Sequence, residues 1–413
     1  MIFKPRKIFI GMTNIASNVA KYKAGFEANG IETLAAVNYR DSNVVDGSID
    51  YIVDEAIPEL EHKMDPEFAT IIKEQHKKER KNAIWEKALK ECDTFMFIGS
   101  SFRGDNHDYI QLKHMGKKII TRFSGCDIRW KPAMEQEFVK YGMKPLQYLD
   151  AYISKDILVP HLHYVRFAER YSDRIISLPN ISQLALRPYF TLYYCIDLER
   201  IKENPSQRKT NPLVLHAPTN REVKGTKYVA DAFQRLKNEG MVFQPMMVEQ
   251  MKHSEILELY RNADILVGQL LLPNGGNQER EALAAGMVVL SNISPLYPQR
   301  IPPECPIIDV NPDTVYERLK EIILDYPKRQ RIAQLGRPYV EKYHDLKKLC
   351  RDILTFCEDD SLAEEHKPTF FREDFVPETP EVTWLYNKYT DFVKECDWYK
   401  QNIAPGERAG LRF

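Results

Sequence analysis

The chain lacks any apolar run that approaches the roughly 20 residues of a membrane span. Its first apolar run is too short for a signal peptide, and no small-residue cleavage site follows it. The seven cysteines are scattered without a CxxC pair, which argues against a zinc site and is typical of reduced thiols in a cytosol. We therefore expect a cytoplasmic protein, with peripheral contact at the inner face of a membrane left open.

An excess of positive charge is also missing. The formal net charge is -1, from 58 basic and 59 acidic residues, so the chain has no overall basic field of the kind that nucleic-acid-binding proteins use. We expect no nucleic-acid partner. At 413 residues the chain is too long for one ordinary core, which favours two domains.

Short apolar runs alternate with helical patterns along most of the chain. This order is typical of parallel sheets with crossover helices, and the chain contains two such series. The aperiodic, proline-containing stretch "KENPSQRKTNP" separates the two series. The sequence predicts an α/β protein with two Rossmann-like, doubly wound domains that face a central cleft. The predicted ranges are 1–201 for the first domain, 202–212 for a linker, 213–358 for the second domain and 359–413 for a tail with an aromatic amphipathic helix.

Ligands of such sheets bind beyond the carboxyl ends of the strands, so the polar loops at those ends are the candidate sites. The first loop contains Asn14, Ser17 and Asn18 and has no G-x-G-x-x-G fingerprint, which argues against a nicotinamide cofactor. These side chains could bind a substrate hydroxyl or an anion at a helix amino terminus. Ordinary helix capping by Ser17 or Asn18 is the alternative.

The second loop, "RFSGCDIRW", presents Asp127 and Arg129 after a strand. Asp127 could accept hydrogen bonds from acceptor hydroxyls or act as a base. Alternatively, Asp127 and Arg129 could form a pair that only stabilises the turn. We keep both as catalytic candidates.

The third loop, "NREVKG", lies between an apolar strand and a helix and contains Asn220, Arg221 and Lys224. Cations at this position could make charge-assisted hydrogen bonds to phosphate oxygens. Gly225 would let the backbone approach a ligand closely. A solvated basic turn is the alternative.

The fourth loop runs from Gly275 and Gly276 into a helix that is expected to start near Asn277. Free N–H groups at such a junction can bind an anion. Glu281 could accept hydrogen bonds from two ribose hydroxyls, as acidic residues do in nucleotide-binding folds. Alternatively, Glu279 and Glu281 only stabilise the helix through its dipole.

The third and fourth loops together resemble the carboxyl-terminal domain of GT-B glycosyltransferases, in particular the retaining family 4 (group 1). The matching segments are "NREVKGT", "LYRNADILVGQLL" and "GGNQEREALAAGMVVLSN", with weaker similarity at "FSGCDIR" in the first half. The resemblance covers about residues 213 to 345.

The resemblance implies a GT-B fold and a nucleotide-diphosphate sugar as donor. It implies that the second domain, 213–358, binds the donor and that the first domain, 1–201, binds the acceptor. It implies that Lys224, with Arg221, faces the donor diphosphate and that Glu281 holds the ribose. Gly275 and Gly276 would let the donor approach the backbone. No metal and no further cofactor is expected, because cations and a helix amino terminus can neutralise the leaving phosphate.

The chain departs from the family pattern at three positions. Pro273 stands where the family commonly has a glutamate that contacts the donor sugar, and Glu279 could take over that role. Thr219 stands where an arginine is usual, and Ser124 where a histidine is often found.

The sequence therefore predicts transfer of a sugar, with retention, to a hydroxyl of a glycan or a lipid-linked acceptor. A nucleotide-sugar epimerase or hydrolase and a non-catalytic GT-B assembly protein remain alternatives. The sequence does not indicate an oligomeric state. Its terminal aromatic helix is expected to pack on the first domain, with contact to a membrane as the alternative.

Overall fold

The computed structural model describes residues 4–14, 17–39, 49–55, 65–125, 127–143, 155–178, 181–187, 189–204, 206–273, 275–295, 301–358, 376 and 379–394. Over these residues the chain forms two parallel sheets with helices on both faces. The predicted α/β class is confirmed. None of the described helices is both long and apolar enough to cross a bilayer.

The amino-terminal domain is built on a parallel sheet of seven described strands in the order β3-β2-β1-β4-β5-β6-β7. In chain order the strands are β1 (Lys7–Met12), β2 (Glu32–Val37), β3 (Tyr51–Ile52), β4 (Thr94–Ile98), β5 (Lys118–Arg122), β6 (Arg174–Ser177) and β7 (Phe190–Thr191). The helices of this half are α1 (Asn18–Glu27), α2 (Pro66–Glu91), α3 (His107–His114), α4 (Lys131–Lys140) and α5 (Lys155–Tyr171). A short 3₁₀ helix, Leu198–Arg200, follows.

The central strands of this sheet are apolar at successive positions because helices cover both faces. On one face Phe9, Phe95 and Phe97 pack in an aromatic cluster with Trp85 of α2. On the other face Ile8, Ile10 and Met96 pack against α1 and against a helix from the end of the chain. The aligned carboxyl ends of these strands position the loops of the candidate site.

The carboxyl-terminal domain has a parallel sheet of five described strands in the order β12-β11-β10-β8-β9. The strands are β8 (Leu213–His216), β9 (Gln244–Met247), β10 (Ile265–Val267), β11 (Val288–Ser291) and β12 (Ile308–Asp309). The helices are α6 (Arg221–Lys224), α7 (Thr226–Asn238), α8 (His253–Tyr260), α9 (Asn277–Ala284), α10 (Val315–Leu324), α11 (Tyr326–Tyr343), α12 (Leu346–Phe356) and α13 (Pro380–Lys394).

Helix α12 belongs by sequence to the range predicted for the second domain, 213–358, but it packs on the first. Its apolar side chains Leu349, Cys350 and Ile353 are buried in the same cluster as Ile8 and Phe26. Every third or fourth residue of α12 is apolar, so the helix has a continuous stripe to bury. The end of the second α/β series therefore completes the first domain.

The linker and the tail also contact the domains. Asn204 and Gln207 hydrogen-bond to the backbone of Ala285 and Gly286, so this part of 202–212 is attached to the carboxyl-terminal domain. Helix α13 contacts α5 of the amino-terminal domain. Trp384 of α13, the aromatic helix for which membrane contact is the alternative, is 59% exposed. Trp398 lies outside the described residues.

Candidate active site

The carboxylate of Glu281 lies where the two domains meet. It is in the second turn of α9, and its Oε1 accepts a hydrogen bond from Nζ of Lys21 in α1 at 3.1 Å. Its Oε2 lies 2.9 Å from Nε2 of His253, the first residue of α8. Burial alone would raise the pKa of Glu281, but the positive charge of Lys21 and the contact with His253 lower it to about 2. Glu281 is therefore a buried anion.

A cavity of about 290 Å³ opens beside this carboxylate. Both domains line it. Ser17 and Lys21 come from the amino-terminal domain, and the other polar lining residues are Asp197, Arg200, His253 and Glu281. Its volume is at the lower end of the range for small-molecule pockets. The cavity thus places two carboxylates and basic side chains around a space that could hold a small ligand.

Lys224 lies on the other side of α9 from this cavity's lining. Its Nζ is 3.2 Å from Oε1 of Gln269 and 3.7 Å from Oε1 of Glu279, and its side chain is 12% exposed. The short helix α6 ends at Lys224 because Gly225 adopts a positive φ of 74° and starts α7. The largely buried side chain of Lys224 is thereby held at the carboxyl end of β10.

Glu279 is fully buried and organises the loop before α9. Its carboxylate accepts hydrogen bonds from the backbone N–H groups of Gln269 at 3.1 Å and Gly276 at 2.6 Å. Burial would raise the pKa of Glu279, but the charges of Lys224 and Arg280 and the hydrogen bond from the backbone of Gln269 lower it to about 2. The geometry shows a carboxylate that binds its own loop and Lys224.

The glycine pair predicted for close approach is packed tightly. Gly275 has a φ of 58°, and a Cβ atom there would lie 2.4 Å from Nη1 of Arg280. The carbonyl of Gly275 accepts a hydrogen bond from the hydroxyl of Tyr194 at 3.2 Å. Tyr194 precedes the linker, so this bond joins the sequence of the first domain to the glycine loop of the second.

Three other residues that were predicted to bind the donor do not share one environment. Arg221 is directed to the surface, where its guanidinium pairs with Glu249 and is 63% exposed. Asn220 precedes α6, and its carbonyl accepts the N–H of Lys224 at 3.1 Å. Asn277 opens α9, and its buried Oδ1 has no hydrogen-bond partner.

In the first loop of the amino-terminal domain, Asn14 is the capping residue. Its Oδ1 accepts the N–H of Val19 at 3.0 Å. Ser17 adopts a left-handed conformation with a φ of 59° and makes no capping hydrogen bond with its side chain, and Asn18 is the first residue of α1. Only Ser17 of this group lines the cavity beside Glu281.

The carboxylate of Asp127 binds the backbone of its own turn. Its oxygens accept the N–H groups of Ser124 at 2.9 Å and Gly125 at 2.6 Å. Burial raises the pKa of Asp127, and these hydrogen bonds oppose the rise. Arg129 follows on the same loop and is half-buried. These contacts agree with the turn-stabilising alternative for Asp127.

Sequence reasoning missed Lys21, His253 and Tyr194. His253 could have been found, because it follows β9 at the strand end where the other candidates lie. Lys21 lies 260 residues from Glu281 along the chain, and its position within α1 gave no signal. Among the described residues, no group of three or more His, Cys, Asp or Glu side chains is placed to hold a metal ion.

The fold is that of the GT-B glycosyltransferases. Sucrose-phosphate synthase from Thermosynechococcus elongatus superposes with a TM-score of 0.54 at 14% identity, over 84% of this chain and 97% of that one. A glycosyltransferase from Rickettsia africae gives a TM-score of 0.53 at 12% identity, over 88% and 100%.

A third structure is HepE from Anabaena, solved in complex with UDP and glucose. It gives a TM-score of 0.51 at 14% identity, over 85% of this chain and 98% of that one. No family model matches the chain, and no curated protein matches it. At identities this low the superpositions show the fold alone, and the resemblance to family 4 stays a prediction.

Proposed function

We propose that this protein is a glycosyltransferase that moves a sugar from a nucleotide-diphosphate donor to a hydroxyl of a glycan or lipid-linked acceptor. The observation that carries the proposal is the buried, anionic carboxylate of Glu281 beside a cavity of about 290 Å³. The GT-B fold and the UDP and glucose bound by HepE support a nucleotide sugar as the donor.

In this proposal Glu281 accepts hydrogen bonds from the two ribose hydroxyls. Both of its oxygens are occupied within the chain, by Lys21 and by His253. A bound ribose would replace the bond from Lys21, which comes from the opposite domain. Donor binding and the relative position of the domains are thereby coupled.

The diphosphate would extend from the ribose toward Lys224 and the glycine loop. The side chain of Lys224 is largely buried, and its positive charge would stabilise the leaving phosphate as negative charge develops. Gly275 and Gly276 form the loop at the start of α9 and pack against the side chains of Arg280 and Glu279. The reaction would proceed with retention and without a metal ion.

The two amino-terminal candidates would have different roles. Asp127 uses its carboxylate on backbone amides, so we assign it a positioning role for the loop. Arg129 is the side chain of this loop that would face the negative charge that develops during the reaction. Glu279, which holds Gly276 and Lys224, would position the donor loop and would not contact the ribose.

One observation favours a second candidate, the non-catalytic GT-B assembly protein. The bonds from Lys21 and His253 leave neither Glu281 oxygen without a partner, as would be expected of a site that no longer binds nucleotide. In that case Lys21 would be a permanent contact between the domains.

A turnover assay separates these functions. The protein is incubated with UDP-, GDP-, ADP- and CMP-sugars, with and without a panel of hydroxyl acceptors, and nucleotide release and sugar transfer are both measured. The proposal expects acceptor-dependent release that is lost in Glu281→Gln and kept in Glu258→Gln, a surface glutamate of the same domain. Equal release without acceptor would indicate a hydrolase. The absence of release and of nucleotide binding would support the assembly protein.

A further inference from the structure

The cavity beside Glu281 lies on the opposite side of α9 from the proposed phosphate contact. Glu279, whose Oε1 is 3.7 Å from Nζ of Lys224, and Glu281 are two residues apart in this helix, so they point in directions roughly 200° apart. The phosphates and the base of a nucleotide are attached to different ends of its ribose. A ribose held by Glu281, with its diphosphate directed to Lys224, would therefore place its base in the cavity.

Part of the cavity wall is apolar and suits a flat ring. Ala20 and Ala24 are four residues apart in α1, so they lie on the same face of that helix. Ile201 and Leu257 contribute larger, buried side chains to the same lining. A base of any kind can pack against such surfaces, so the polar lining must distinguish one base from another.

Asp197 and Arg200 are polar lining groups that no contact within the described protein occupies. Asp197 directly precedes the 3₁₀ helix Leu198–Arg200, and its side chain makes no capping hydrogen bond. Within the described part of the chain, neither the carboxylate of Asp197 nor the guanidinium of Arg200 makes a hydrogen bond or an ion pair. Side chains three residues apart in a 3₁₀ helix lie on the same face. The helix therefore presents an acceptor and a donor to the cavity side by side.

Guanine is the base whose edges match this pair. Its N1–H and its 2-amino group are adjacent donors, and a carboxylate, which only accepts hydrogen bonds, can bind both of them. Its O6 and N7 atoms are acceptors for an arginine. Uracil, adenine and cytosine each have an acceptor next to the donor that a carboxylate would bind, so their edges would bring an oxygen or nitrogen lone pair against Asp197.

We propose that Asp197 selects a guanine nucleotide as the sugar donor, with Arg200 donating a hydrogen bond to O6 of the base. The inference rests on the proposed glycosyl transfer and adds the identity of the base to it. A uracil nucleotide would bind through its ribose and phosphates without the paired hydrogen bonds to Asp197. GDP should therefore bind about tenfold or more tightly than UDP.

The first test varies the ligand and leaves the protein unchanged. The full chain is titrated calorimetrically with GDP, inosine diphosphate and UDP. Inosine diphosphate differs from GDP only in lacking the 2-amino group, so it removes one hydrogen bond to Asp197 and keeps the ribose and phosphates. GDP should bind about tenfold or more tightly than inosine diphosphate. Equal affinities for these two ligands would overturn the proposal.

The second test changes Asp197. The amide of Asp197→Asn can accept from N1–H, but it turns an N–H group toward the 2-amino group, so GDP should bind about tenfold more weakly. Xanthosine diphosphate has a carbonyl in place of that amino group, so Asp197→Asn should bind it more tightly than the wild type does. Glu199→Gln changes an exposed carboxylate of the same 3₁₀ helix, outside the cavity lining, and should keep the wild-type preference. Unchanged affinities for GDP and xanthosine diphosphate in Asp197→Asn would contradict the assignment.

These titrations also separate failure of this inference from failure of the proposed function. If UDP or ADP binds most tightly, and Glu281→Gln loses that binding while Asp197→Asn keeps it, the donor site stands and the guanine assignment is wrong. If none of GDP, UDP, ADP and CMP binds to the wild type, the proposed function itself is contradicted. Thermal unfolding of each free variant checks its fold. Should Asp197→Asn not fold, the comparison of GDP with inosine diphosphate on the wild type decides.

Discussion

Lys21 of α1 and Glu281 of α9 form a buried ion pair between the two domains, with 3.1 Å between Nζ and Oε1. The side chains are 8% and 6% exposed. Glu281 is also the residue expected to bind the donor ribose. One carboxylate therefore serves both as a contact between domains and as the candidate nucleoside site.

Removing the lysine should destabilise the protein. Lys21→Met leaves Glu281 buried with His253 as its remaining side-chain partner, and breaking a buried pair from one side typically costs about 3–5 kcal/mol. Urea unfolding should show that loss, whereas Lys237→Met, on the exposed side of α7, should stay within about 0.5 kcal/mol of the wild type. A Lys21→Met protein as stable as Lys237→Met would show that the pair is not formed in solution.

Lys224 and Arg221 should differ in their effect on phosphate binding, although they are three residues apart. Lys224→Met should weaken binding of UDP about tenfold or more and leave uridine binding nearly unchanged, because only UDP offers phosphate oxygens. Arg221→Gln should change neither affinity by more than about twofold, because Arg221 pairs with Glu249 at the surface. Titration calorimetry with both ligands measures this. The opposite ranking of the two variants would place the diphosphate elsewhere.

The free energy of unfolding should fall in acid because of Glu279 and Glu281. Each has its pKa lowered from an ordinary 4.5 to about 2 in the folded protein. The unfolded chain therefore takes up these protons first, so the stabilisation is complete above pH 4.5 and is lost as the pH falls toward 2. The loss is roughly 3 kcal/mol for each carboxylate.

Urea titrations at several pH values measure this dependence. Glu279→Gln should be less stable at pH 7 and should show a flatter decline between pH 5 and pH 2. Glu258→Gln, which changes an exposed carboxylate, should retain the wild-type slope. A Glu279→Gln protein with the wild-type slope would mean that Glu279 does not titrate in this way.

Helix α12 should stabilise the amino-terminal domain. Leu349 is 2% exposed and packs in the cluster with Ile8 and Phe26, so Leu349→Ala should cost about 2–5 kcal/mol. Leu335→Ala makes the same change in α11 at a position that is 55% exposed, and it should cost much less. Thermal unfolding of the two variants measures the difference. Equal stabilities would show that α12 is not docked on the first domain.

The fold could be predicted from the sequence because the apolar patterns of its strands and helices are local. The buried strands β1, β4, β8 and β11 are short apolar runs, and helical patterns separate them. The periodicity of the apolar residues and the alternation of strands with helices therefore predict two parallel sheets. The packing of α12 could not be read in this way. Its apolar stripe shows that one face is buried but does not say in which domain.

The candidate site was predictable only where its residues follow strands. Lys224, Glu279 and Glu281 lie on such loops or on the helix that follows one, and the structure brings them to the two sides of α9. The pairing of Lys21 with Glu281 depends on how the domains meet, which no local pattern encodes. The surface position of Arg221 depends on Glu249, another distant residue.

The most direct test of the central claim is equilibrium binding of UDP, GDP, ADP and CMP to the wild type and to Glu281→Gln. The account predicts that one nucleotide binds clearly and stabilises the fold by about 2.7 kcal/mol at 100 times its dissociation constant. Glu281→Gln should lose most of that stabilisation, because the amide cannot accept both ribose hydroxyls. If none of the nucleotides binds, or if Glu281→Gln binds as well as the wild type, the donor site is not at Glu281.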